Sequence, residues 1–163
     1  MTDGRNATDS DPGDALQQGA SAPNPHTVRK RTRARELALR ALYMVDVRGA
    51  DAAGDVPAFF AAETDEPDVT RFAQELFDGC LGRRDELDGK IADVAENWHI
   101  HRMAVIDRNI LRIGTYELLA LTDIPPKVSI NEAIDLAKRY STADSGSFVN
   151  GILDKLRSQL RPE

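Results

Sequence analysis
The spacing of apolar residues restricts this chain most. They return every three or four positions in segment after segment and nowhere alternate with period two over a useful length. A helix turns about 100° per residue, so positions i, i+3, i+4 and i+7 share one face, whereas a half-buried strand needs strict alternation. Ala34, Leu37, Ala38, Ala41, Leu42 and Val45 form the first stripe. Val69, Phe72, Ala73, Leu76, Phe77 and Cys80 form a second, and Leu87, Ile91, Val94, Ala95 and Trp98 a third. Three more follow: Ile106 to Leu121, Ile130 to Ala137, and Val149 to Leu160. With a short apolar helix over residues 56–62, this predicts an all-α fold of about six or seven helices in two packed groups, separated near residues 98–103.

Local signals set the expected boundaries. Pro57 and Pro67 fit first turns, where a missing N–H costs nothing. Gly79 and Gly82 predict a break or bend about Leu81. Gly114, inside an apolar stripe, predicts a close helix–helix approach. Pro125 and Pro126 end one helix. Ser129-Ile130-Asn131-Glu132 has the form of a capping box, which predicts a new helix starting at Ser129. Asp144 and Ser145 are expected to cap the last helix. Residues 1–28 are rich in Gly, Pro, Ser, Asp and Asn without apolar pattern, so they are expected to form a disordered acidic tail.

Charge is distributed unevenly. Residues 1–28 carry net −3, residues 29–48 net +5 and residues 49–163 net −8. A basic segment on an acidic body argues for a localised anionic partner, or equally for a basic arm docking on the protein's own acidic surface. On the helical wheel, Arg29, Arg33, Arg40 and Tyr43 gather on one face, with Glu36 among them, and Arg31 and Arg35 lie on a flank. Two readings fit: a solvated face, or a single-stranded nucleic-acid surface on which arginines meet phosphates and the ring stacks on a base.

The remaining chemistry is sparse. Cys80 is the only cysteine, which excludes an internal disulfide and fits a buried thiol. His99 and His101 are two apart and do not meet on a helix, and His26 lies in the tail, so no metal site is expected. There is no phosphate loop, nucleophile elbow or zinc-protease motif, and no carboxylate pair stands out, so neither a cofactor nor an enzyme is expected. Without a membrane-length apolar run or a signal pattern, the chain reads as soluble and cytoplasmic. Phe148 sits at the margin of the last stripe, either as core or as an exposed ring.

Three blocks taken together, RKRTRARELALRALY, DRNILRIGTYELL and PPKVSINEAIDLAKRYSTADSGSFVNGILDKL, resemble the NusB family of transcription antitermination factors from about residue 29 to 161. The resemblance implies two three-helix-bundle-like halves, about 29–98 and 103–161. It also implies binding to boxA, a short single-stranded RNA element of ribosomal RNA operons, together with the ribosomal protein NusE and the RNA polymerase antitermination complex. Arg29, Lys30, Arg31, Arg33 and Arg35 correspond to the family's RNA-contacting arm, and Arg40 and Tyr43 extend that surface. Asp144 and Phe148 occupy the loop and helix start that the family also brings to RNA. Asp107, Arg108, Arg112 and Tyr116 are the candidates for the NusE surface.

Two other readings compete. The same helical module stands at the front of certain ribosomal RNA cytosine methyltransferases, and a stand-alone RNA-binding module of that kind would need a separate catalytic chain. A helical adaptor that binds only protein would use the basic arm for solubility. Both a monomer and a homodimer that pairs through the RNA or NusE surface fit the sequence.

Overall fold
The computed structural model describes residues 24–96 and 99–162. Over these residues the chain is all α: α1 Pro25–Arg48, α2 Val56–Glu63, α3 Pro67–Gly82, α4 Arg84–Val94, α5 Val105–Ala120, α6 Pro126–Tyr140 and α7 Ser145–Leu160, with short 3-10 helices at Ala50–Asp55 and Ile100–Arg102. No described residue lies in a strand, and no described helix is long and apolar enough to cross a membrane.

Helix starts depart from the sequence reading in three places. α1 begins inside the segment expected to be disordered: Pro25 occupies the first turn and the Asn24 side chain accepts a hydrogen bond from the His26 amide. Asparagine followed by proline is a strong start signal, so residues 25–28 are helical rather than tail. The rest of the expected tail, residues 1–23, lies outside the described residues. α6 starts at Pro126 rather than Ser129. Its capping-box pair is turned to tertiary partners: Ser129 donates to Glu117 at 3.0 Å, and Glu132 accepts from Thr32 at 2.9 Å. Asp144 precedes α7 in a helical conformation without a side-chain cap bond, and the Ser145 hydroxyl reaches Asp107 instead.

α1 packs mainly on α3, while α5, α6 and α7 pack on one another. α5 also touches α1, α3 and α4, which makes it the element shared by both groups. One continuous apolar cluster runs from Ala34 to Leu156, and every residue of the first stripe lies in it, at most 5% exposed. Burying a leucine or isoleucine stabilises by about 1.5–3 kcal/mol, so these stripes supply most of the driving force.

Two glycines mark close approaches. A Cβ on Gly114 would stand 2.7 Å from a Leu153 methyl, which fits the packing of α5 on α7 expected there. A Cβ on Gly79 would stand 2.2 Å from the Tyr116 ring. α3 passes through Gly79 to end at Gly82, with the break at Arg83. Gly79 therefore serves the α3–α5 contact, and the break lies just beyond it.

Candidate nucleic-acid interface
α1 is sorted by its own periodicity. Its apolar stripe is sealed against α3 and α5, and its basic residues other than Arg35 are left on the remaining faces. Arg29 is exposed. Lys30 donates to Asp68 at 3.2 Å and lies 3.6 Å from Glu66, and Asp68 raises its pKa. The Arg31 guanidinium lies over the Phe72 ring, 5.0 Å from its centroid. Arg33 and Arg40 converge on Glu63, at the end of α2. Arg33 donates at 3.1 Å, and Arg40 donates through two nitrogens at 3.1 and 3.2 Å. The Arg40 fork, with Arg33 beside it, holds the Glu63 carboxyl below its ordinary value. Arg33 also reaches Glu36, which Arg139 of α6 contacts from the other side.

One turn further along, Tyr43 is 44% exposed. It stands at a cleft of about 420 Å³ lined by Leu39, Arg40, Tyr43, Met44, Phe59, Ile106 and Tyr140. Arg40 lies over the Phe59 ring at 5.0 Å, so one guanidinium presents a face to an aromatic wall while its edge is held by Glu63. A second cleft of about 420 Å³ is lined by Arg102, Met103, Ala104, Asp107, Thr142, Asp144, Ser145 and Phe148. The two share a junction: Ile106 and Tyr140 wall the first, and their near neighbours Asp107 and Thr142 wall the second. Asp107 is fixed there by hydroxyl donors, Ser141 at 2.7 Å and Ser145 at 3.0 Å. Together these groups form a surface of half-exposed guanidiniums and aromatic walls, suited to a polyanion with planar bases.

The expected residues divide. Asp144 and Phe148 line one cleft, and Asp107, a candidate for the partner surface, joins them there. Arg35 must be withdrawn from the RNA arm. It is 2% exposed, and its Nε and Nη2 donate to Glu117 at 2.9 and 2.6 Å. Two positions from Arg33, it sits about 200° further round the helix, which turns it inward toward a carboxylate 82 positions away. Arg112 must likewise be withdrawn from the partner surface. It is 2% exposed and forks onto Asp88 at 2.7 and 2.8 Å, with Asn109 at 3.0 Å. Arg108 is largely covered beside Asp46, and Tyr116 lies on another flank against Gly79, half-buried, with burial raising its pKa.

Sequence reasoning missed Phe59, Tyr140, Glu63 and Arg139. Phe59 was readable only as part of a short apolar helix, and Tyr140 only as a helix end. No spacing rule links Glu63 to Arg40, because their meeting depends on how α2 packs against α1.

The NusB family model matches residues 32–158. The transcription antitermination protein NusB of Anaeromyxobacter sp. (strain Fw109-5) is 47% identical over 135 residues, covering 82% of this chain and 94% of that protein. Among solved structures, NusB of T. maritima superimposes with a TM-score of 0.70 at 36% identity, over 79% of this chain and 91% of that one. A chain in the crystal structure of antitermination factors NusB and NusE with dsRNA gives a TM-score of 0.73 at 29% identity, over 80% and 98%.

Proposed function
The chain belongs to the NusB family, and from that premise we propose that it is a transcription antitermination factor that binds boxA single-stranded RNA of ribosomal RNA operons. It does so together with NusE and the RNA polymerase antitermination complex, in the cytoplasm. The observation that carries the RNA part is the α1 face, where Arg33 and Arg40 stand beside the exposed Tyr43 ring and its aromatic cleft.

In this reading Arg29, Lys30, Arg31, Arg33 and Arg40 contact phosphates, whose oxygens accept from guanidinium forks. Tyr43 and Phe148 stack on unpaired bases, and Asp144 offers an acceptor to a base edge. Asp107, Arg108 and Tyr116 belong to the NusE surface. Arg35 and Arg112 act from the interior by holding α1 and α5 in place. In this reading the half of residues 29–98 carries the arm and that of 103–161 carries the Phe148 cleft, so one RNA strand would bridge them.

The test is fluorescence anisotropy of a labelled boxA-type single strand, with Arg40→Ala and Tyr43→Ala variants and a duplex of the same sequence. Each phosphate contact on a single strand adds about −0.7 to the log–log salt slope, so four or five contacts give roughly −3. Arg40→Ala should flatten that slope, and Tyr43→Ala should weaken binding while leaving the slope unchanged. Tighter binding to the duplex would contradict the stacking role of Tyr43.

A further inference from the structure
We infer that Glu63 is a built-in competitor for phosphate on the arginine face of α1 and sets how tightly that face holds RNA. The inference rests on reading this face as an RNA site. Glu63 occupies the position a phosphate would take: Arg40 grips its two oxygens through two nitrogens at 3.1 and 3.2 Å, and Arg33 reaches the same carboxylate at 3.1 Å. A guanidinium fork binds carboxylate and phosphate by the same parallel hydrogen bonds, so the two anions contend for one set of donors.

The placement of Glu63 is not explained by its own helix. It is the last residue of α2, where the helix dipole disfavours negative charge. The arginines across the gap are its stabilising partners. With Arg139 and Glu36 included, three guanidiniums face two carboxylates, and the cluster offers an incoming strand a net charge of +1. Glu36 is anchored below, its side chain 10% exposed, whereas that of Glu63 is 28% exposed, on the outer rim. Because Arg33 and Arg40 are well exposed, at 38% and 42%, the pairs are weak enough for RNA to displace. Glu63 therefore attenuates binding without blocking it. A strand held only by phosphates meets this competition in full, while one that also stacks on Tyr43 has further contacts to offset it.

The experiment compares the full-length protein with its Glu63→Gln variant, which keeps the shape and removes the charge. Glu86→Gln on α4, whose carboxylate pairs with Arg83, controls for net charge. In the same anisotropy titration Glu63→Gln should bind boxA-type RNA roughly three- to tenfold tighter, the range for removing one or two surface-pair competitors. Its salt slope should stay near the native value, because the same phosphates are engaged once RNA has displaced Glu63. Glu86→Gln should change affinity less than twofold, and Glu63→Ala should move as Glu63→Gln does. Unchanged or weaker binding by Glu63→Gln, while Arg40→Ala still weakens binding, would overturn the competitor role and leave the RNA site standing. Absence of RNA binding in the native protein and every variant would overturn both.

Discussion
Arg35 and Glu117 face each other in the interior, joined by hydrogen bonds of 2.9 and 2.6 Å, with side chains 2% and 1% exposed. The pair ties α1 to α5, and Ser129 and Glu132 of α6 close around it. A buried ion pair is costly to break, because one partner is left charged and dry. Glu117→Gln or Arg35→Ala should therefore destabilise the fold by about 3–5 kcal/mol in urea denaturation. A double replacement by apolar residues of similar volume should cost much less. If it folds, it should keep the native salt slope for RNA, since Arg35 reaches no ligand.

Gly79 and Tyr116 set the spacing of α3 and α5. With a Cβ at position 79 placed 2.2 Å from the ring, Gly79→Ala must push Tyr116 aside. Overpacking of this kind costs about 1–3 kcal/mol, against the slight gain alanine brings to a helix. Thermal melting checks the sign. Tyrosine absorbance followed to alkaline pH should show the ring's titration moving toward its ordinary value as it leaves its packed site, because burial is the main cause of its raised pKa.

Arg161 closes the far end of α5. It donates to the carbonyls of Glu117, Leu118, Leu121 and Ile124 at 2.9 to 3.2 Å, and so satisfies acceptors at the end of α5 and in the loop that follows. Arg161→Ala should cost about 1–3 kcal/mol in urea denaturation. Arg161→Lys should restore only part of that, because an ammonium lacks the fork.

The Glu63 pairs also predict a pH dependence of stability. The folded pKa lies below the ordinary 4.5, chiefly through the Arg40 hydrogen bonds. The stabilisation is fully present above the unfolded value and is lost as pH falls through the folded one. The native protein and Glu63→Gln should thus differ by a constant amount between about pH 6 and 8 and converge below 4.5, as read from melting temperatures. A difference that widened on acidification would contradict the assignment.

The helices were legible because each buries one face, and burial imposes a period that the sequence must carry. Ala34, Leu37, Ala38, Ala41, Leu42 and Val45 could be placed in the core without any knowledge of their partners. Polar residues were harder, since their place depends on who meets them. Arg33 and Arg35 are both arginines in one basic run, yet one meets a rim glutamate and the other a buried one, on elements 30 and 82 positions away. Ser129 and Glu132 carried a true local pattern that tertiary partners overrode. Asn24-Pro25 was a readable start signal, hidden by the polar composition around it.

Selective RNA binding shared with NusE defines the proposed role. The most direct measurement is the anisotropy of labelled boxA RNA against a scrambled strand, titrated with this protein in the presence and absence of purified NusE. Binding should favour boxA, and NusE should strengthen that preference. Equal affinity for the scrambled strand would reduce the arm to a general electrostatic tether, and no binding even with NusE present would leave a helical adaptor that recognises protein alone.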